Sequence, residues 1–179
     1  MLKDIDHILI SEEKIKEEVS KLGKELSQIY KDKNPLVICT LKGSAVFYAD
    51  LIRSMDIPLE LEFIRTSSYG NGTNSSKNIQ MDAKGVVDLK NRHVILVEDI
   101  IDTGNTLKFL KEFFYSVGVA DFKTCVLLNK PSRREVEIEA DYICFKVPDE
   151  FVVGYGLDFA QKYRNLPFIG VLKEKVYKK

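Results

Sequence analysis

Between Leu36 and Asn129 the chain alternates short apolar stretches with amphipathic ones, and this alternation constrains its fold more than any other feature. Leu36 to Thr40 reads as a strand, followed by a Lys-Gly turn and a helix carrying Val46, Phe47, Ala49 and Leu51. "LELEFIRT" then alternates like a strand. The pattern returns at Val94 to Val97, with a helix to about Val117, and again at Thr124 to Asn129. Strands separated by helices cannot be joined by hairpins, so they pair in parallel. The expected fold is α/β, a mostly parallel sheet with helices on both faces and its ligands beyond the carboxyl ends of the strands. Before this unit, Ser11 caps a helix whose first turn holds Glu12 and Glu13. There Ile15, Val19, Leu22, Leu26 and Ile29 recur at helical spacing, so it ends near Tyr30.

At 179 residues the chain suits one domain with one core. Lys plus Arg and Asp plus Glu both number 27, so no net field favours nucleic acid or an anionic membrane, and neither partner is expected. Cys39, Cys125 and Cys144 sit in separate apolar runs without a Cys-x-x-Cys pair, which reads as reduced thiols. The segment "MLKDIDHILI" lacks a signal-peptide core and no run reaches the length of a membrane span, so a cytoplasmic location is expected. "SSYGNGTNSSKN", Ser67 to Asn78, has no periodicity and is expected to form a flexible loop.

The stretch "VILVEDIIDTGNTL", Val94 to Leu107, ends an apolar strand in Glu98, Asp99 and Asp102 and passes into a Thr-Gly-Asn-Thr loop. Where a loop enters a helix, backbone N–H groups lack intrahelical partners and favour an anion, so Thr103, Gly104, Asn105 and Thr106 suit a phosphate. Glu98 and Asp99 accept hydrogen bonds or hold magnesium, which fits sugar hydroxyls. A phosphorylated sugar satisfies both halves. No Walker string occurs, and a dinucleotide fingerprint would place its acid after the glycines. Asp102 is left over and partly enclosed, either a proton acceptor for a substrate or a cap on the helix.

An apolar strand, Glu-Asp, two apolar residues and then Asp-Thr-Gly-x-Thr resembles the phosphoribosyl diphosphate motif of the type I phosphoribosyltransferases. "LKGS", "SSYG", "NKPSRR", "PDEFVVGYGLD" and "KYRNLPFIGVL" extend the resemblance to the family's 6-oxopurine branch, the bacterial hypoxanthine-guanine type, from about Val37 to Leu172. The resemblance implies a core at about 36–145, a hood built from the N-terminal segment and about 146–172, and a lid at about 67–80.

It also implies a role for each matched residue. Glu98, Asp99, Asp102 and the Thr103–Thr106 loop would hold 5-phosphoribosyl 1-diphosphate, with Asp102 catalytic. Lys42, Gly43 and Arg164 would hold the pyrophosphate, at a Leu-Lys-Gly turn whose peptide can be cis. Lys130 would bond the purine 6-oxygen, Phe151 stack on the ring, the Val152 backbone meet its edge, and Asp158 complete the purine site. Glu98, Asp99 and Asp158 would hold Mg2+, and Ser68 with Tyr69 would begin the lid. On residue type alone, Lys130 reads as a solvated strand-end lysine and Phe151 as core. Arg133 and Arg134 are read as surface or subunit-contact charges, and His7 and His93 as surface residues. Asn129 departs from the Asp common in bacterial relatives, and Cys144 from a Gly.

The expected reaction joins N9 of hypoxanthine or guanine to the ribose with loss of pyrophosphate, in a homodimer or homotetramer. Some proteins of this fold are nucleotide-sensing RNA-binding regulators, which is the alternative. The balanced charge together with Lys130, Phe151 and Asp158 favours the enzyme.

Overall fold

The computed structural model of the chain describes residues 1–69, 78–82 and 88–178. A 3-10 turn, Leu2–Asp4, leads into β1 (Ile5–Ile10), α1 (Glu12–Ile29), β2 (Leu36–Leu41), α2 (Ala45–Arg53), β3 (Glu60–Tyr69) and β4 (Asn78–Asp82). There follow β5 (His93–Ile101), α3 (Asn105–Ser116), β6 (Asp121–Asn129), a second 3-10 turn at Pro131–Arg133 and β7 (Tyr142–Lys146). The chain closes with β8 (Val152–Val153), β9 (Ile169–Leu172) and α4 (Glu174–Tyr177).

The larger sheet has the order β4-β3-β2-β5-β6-β7, parallel except for β4. The smaller, antiparallel sheet joins both ends of the chain in the order β1-β9-β8. Alternate residues of the central strands feed opposite cores, as strand geometry requires. Val37, Cys39, Ile95, Val97, Cys125 and Leu127 pack with Ile15, Val19, Leu22 and Leu26 of α1 and Phe47 and Leu51 of α2. Leu36, Ile38, Val94, Leu96 and Val126 face the other way, onto Leu107, Leu110 and Phe114 of α3. That double burial is why these strands read as continuous apolar runs.

Ser11 caps α1, accepting from the Lys14 N–H at 3.4 Å, and the helix ends at Tyr30, as its pattern predicts. Tyr30 is fully buried and its hydroxyl donates to Asp121 at 2.9 Å. Of the loop expected from composition at Ser67 to Asn78, Ser67 to Tyr69 belong to β3 and Asn78 to β4. β3 runs on through Ser68 and Tyr69, which pair with Ile79 and Asn78 of β4, because two adjacent chains satisfy each other's backbone groups whatever their side chains. The tip of the expected lid, 70–77, lies outside the described residues. His93 is not a surface residue: it is half-buried, with its ring edge-on to Tyr30 at 6.3 Å. All three cysteines are free, and burial pushes the Cys39 and Cys144 thiols up to about 11 and about 12. No helix among the described residues is long and apolar enough to cross a membrane.

One polar anchor fastens β7 to β6. The Asp141 carboxylate accepts from the Thr124 N–H at 3.0 Å, the Thr124 hydroxyl at 2.9 Å and Lys123 Nζ at 2.9 Å. Burial opposes its charge, but these donors outweigh burial and hold the acid below its ordinary value of 3.8. Asp141→Ala should therefore cost about 2 kcal/mol in urea unfolding at neutral pH. Because the folded-state pKa is depressed, that contribution is present in full above pH 3.8 and is lost as the pH falls through the lower folded value. The gap between wild type and variant should close there.

Candidate active site

The chain crosses from β2 through α2 to β3 on one side of the larger sheet, and from β5 through α3 to β6 on the other. Between the carboxyl ends of β2 and β5 the order reverses and the two connections part, which leaves a crevice. It holds a cavity of about 300 Å³, at the small end of ligand pockets. Lys42 and Gly43 line one side, Glu98, Asp99 and the Asp102–Gly104 stretch the other, and Asp158 with Arg164 close the rim.

The turn after β2 contains a cis peptide between Leu41 and Lys42. A Cβ on Gly43 would lie 1.5 Å from Oδ2 of Asp99, so any larger residue there would force the Asp99 carboxylate to move. Gly156, at φ +105, is fitted the same way: a Cβ there would lie 2.0 Å from the Gly43 carbonyl oxygen. Arg164 completes the rim, donating to the Gly156 carbonyl at 2.6 Å and pairing with Asp158 at 2.6 Å.

Burial drives the Glu98 carboxyl well above its ordinary value, and the adjacent Asp99 adds to the rise. Asp99 is also raised by burial, against the pull of the Ile100 N–H at 2.8 Å and of Arg164. Glu98 Oε1 and Asp102 Oδ1 are buried oxygens without a hydrogen-bond partner among the described residues. Buried acceptors left open in a crevice fit an incoming donor or cation. Arg133 Nε lies 3.3 Å from Asp102 Oδ1, near enough for an ion pair but out of line for a hydrogen bond.

The expected anion loop is only partly aimed at the cavity. Thr103, Gly104 and Thr106 line it, with Gly104 at φ +86 opening α3. Asn105 does not line it: its side-chain amide donates to Glu135 at 2.7 Å and to the Thr103 hydroxyl at 3.2 Å. Glu98, Asp99 and Asp158 form no three-acid metal cluster. Asp158 gives one oxygen to Arg164 and the other to the Gln161 N–H at 2.8 Å. The donor set therefore fits an ion that takes one or two carboxylates and fills its remaining positions from water and a ligand's phosphates, as magnesium does.

Of the expected purine residues, Asp158 lines the cavity, whereas Lys130, Phe151 and Val152 do not. Lys130 is buried, with Nζ donating to the Glu150 carbonyl at 2.9 Å and 3.9 Å from Asp149. Its burial overturns the solvated reading that its residue type suggests. Phe151 is not core: it is 37% exposed, its ring stacked on Tyr177 at 4.7 Å and edge-on to Phe159 at 5.6 Å. Val152 is buried in β8, paired with Val171. Ser68 and Tyr69 end β3, at the same carboxyl edge. Arg134, read from sequence as a surface charge, is turned inward, and its guanidinium donates to the Asp102 carbonyl at 2.6 Å. Its place four residues beyond Lys130 was the one available signal.

Gly43→Ala tests this geometry directly. The added methyl must displace Asp99, so activity should fall about a hundredfold or more, read by steady-state kinetics on protein whose circular dichroism matches wild type.

The phosphoribosyl transferase domain matches residues 6–160. The hypoxanthine-guanine phosphoribosyltransferase of Streptococcus pneumoniae is 51% identical over 174 residues, 97% of each chain. A crystal structure of a hypoxanthine phosphoribosyltransferase from Staphylococcus aureus superposes with a TM-score of 0.95 at 42% identity, covering 100% of this chain and 97% of that one. A hypoxanthine-guanine phosphoribosyltransferase from Bacillus anthracis gives 0.86 at 44% identity, covering 94% and 99%. With this crevice on the sheet edge and similarity along nearly its whole length, the chain belongs to the phosphoribosyltransferase family.

Proposed function

We propose that the protein transfers the 5-phosphoribosyl group of 5-phosphoribosyl 1-diphosphate to N9 of hypoxanthine and guanine, forming IMP and GMP plus pyrophosphate. The observation that carries this reading is the crevice between β2 and β5, where paired carboxylates lie between two turns of suitable form for phosphates. The relatives named above are transferases, and the RNA-binding regulator finds no support among them.

The 5-phosphate sits against the N–H groups at the start of α3, with the ribose hydroxyls on Glu98 and Asp99. Lys42, the Gly43 backbone and Arg164 take the diphosphate. Magnesium, held by carboxylates among Glu98, Asp99 and Asp158 and by diphosphate oxygens, would offset charge on the leaving group. The purine stacks on the exposed part of Phe151 and meets the Val152 backbone and Asp158. Lys130 has three N–H donors, of which Glu150 takes one, so one can serve a 6-oxygen. A 6-amino group would set donor against donor. N9 attacks C1 as the bond from C1 to the diphosphate oxygen breaks, and the Asp102 carboxylate takes the N7 proton.

Residues 1–179 act as one domain, with the smaller sheet and about 146–172 as a hood. Ser68 and Tyr69, at the end of β3, would help keep water from the ribose. The enzyme works in the cytoplasm as a homodimer or homotetramer, and Leu61 and Phe63 of β3, 46% and 47% exposed, suit contact with a second copy.

A magnesium-dependent assay offering hypoxanthine, guanine, xanthine, adenine and uracil separately tests the whole reading. Turnover is expected with the first two and not with the last two; folded protein inactive on every base would overturn it. Asp102→Asn should lower the single-turnover rate about a hundredfold or more with little change in substrate affinity, and an unchanged rate would remove its role. Lys130→Ala should reduce discrimination between hypoxanthine and adenine about tenfold to a hundredfold, measured as the ratio of kcat/KM values.

A further inference from the structure

The pairing of β5 with β6 ends at Ile101 and Asn129, but the contact between the two segments does not. The Lys130 N–H donates to the Ile101 carbonyl at 3.0 Å, Arg134 Nη1 to the Asp102 carbonyl at 2.6 Å, and the Glu135 N–H to the Thr103 carbonyl at 2.9 Å. The Asn105 side chain then reaches Glu135 at 2.7 Å. Residues 130–135 thus form a strap along the loop that carries the catalytic carboxylate and the anion nest. The two segments lie close together: a Cβ on Gly104 would lie 2.7 Å from Ile138 Cγ2 and 3.0 Å from Arg134 Cδ.

Arg134 is the centre of this strap. Its side chain is 13% exposed, and Nη2 donates to Oδ1 of Asn129 at 2.5 Å. Glu139 Oε2 lies 3.9 Å from Nη2 and accepts from Asn129 Nδ2 at 3.4 Å. Asn129, 1% exposed, therefore uses both ends of its amide, accepting from the guanidinium and donating to the carboxylate. A planar fork held at two points fixes direction as well as distance, which a lysine's single ammonium does not. The amide at 129 accordingly serves a purpose: it anchors the arginine while leaving Glu139 as a nearby countercharge.

We propose that Arg134 is a positioning residue for the transfer, holding the backbone at Asp102 so that its carboxylate stays aligned with the purine next to Lys130. The inference rests on the role of Asp102 given above. Arg134 touches no substrate and acts through the carbonyl of the residue that does. Misplacement of a reacting group by a fraction of its contact distance is costly in rate and cheap in ground-state affinity.

The test is a double-mutant cycle on the full-length protein, with Arg134→Lys, Asp102→Asn and both together, assayed with hypoxanthine and 5-phosphoribosyl diphosphate. Arg134→Lys should lower kcat about tenfold to a hundredfold while KM for either substrate moves by less than about threefold. The double variant should be no slower than Asp102→Asn alone, since the positioned group is already lost. Asn129→Ala, which removes one anchor but leaves the arginine, should lower kcat about fivefold, and it decides the matter if Arg134→Lys does not fold. Wild-type kcat in the variant that folds, or a double variant slower by the full product of the two effects, would overturn the inference while leaving Asp102 as proton acceptor. A wild-type rate in Asp102→Asn would remove the acceptor role itself and, with it, this inference.

Discussion

Everything at the carboxyl edge of the larger sheet depends on the contact of the Lys42–Gly43 turn with the Asp99 carboxylate. β2 and β5 are neighbours in register, so their ends arrive side by side, and a side chain at position 43 would have to displace the Asp99 carboxylate. Gly156 repeats the requirement from the opposite direction against Gly43 itself. Two glycines thus let three segments, far apart in sequence, close on one cavity. Bulk at 43 would meet the Asp99 carboxylate, and bulk at 156 would meet the Gly43 backbone.

The same closeness produces the site's electrostatics. Glu98 is buried at the end of an apolar strand with Asp99 beside it, so burial disfavours the charged form of both acids. Desolvation of this size is tolerated where a ligand supplies the missing donors or charge. Arg164 supplies part of it, reaching across from beyond Gly156. Buried acids at a crevice of this kind suit a ligand that brings hydrogen-bond donors or a cation.

Around this centre the protein spends its buried polar groups on alignment. Lys130 is tied to the Glu150 carbonyl and Arg134 to the Asp102 carbonyl, so both ends of the 130–134 segment are fastened to backbone near the crevice. Tyr155 plays a comparable part for the segment after β8. Its backbone, at φ +47, sits between two positive-φ glycines, and its hydroxyl donates to Asp50 of α2 at 2.7 Å. Strained backbone is held there by long-range bonds.

The sequence by itself determined the α/β alternation, the cap at Ser11 and the loop that opens α3, because each depends on neighbours a few residues away. Periodicity, capping and a loop-to-helix transition are local properties. Tertiary structure decided the rest. Whether Lys130 was solvated or buried, whether Asn105 faced the cavity or Glu135, and whether Arg134 met solvent or Asp102 all turned on partners supplied by other segments. A charged side chain is compatible with either outcome on residue type alone. Its direction follows from which acceptors the fold brings within about 3 Å, and no local pattern carries that information.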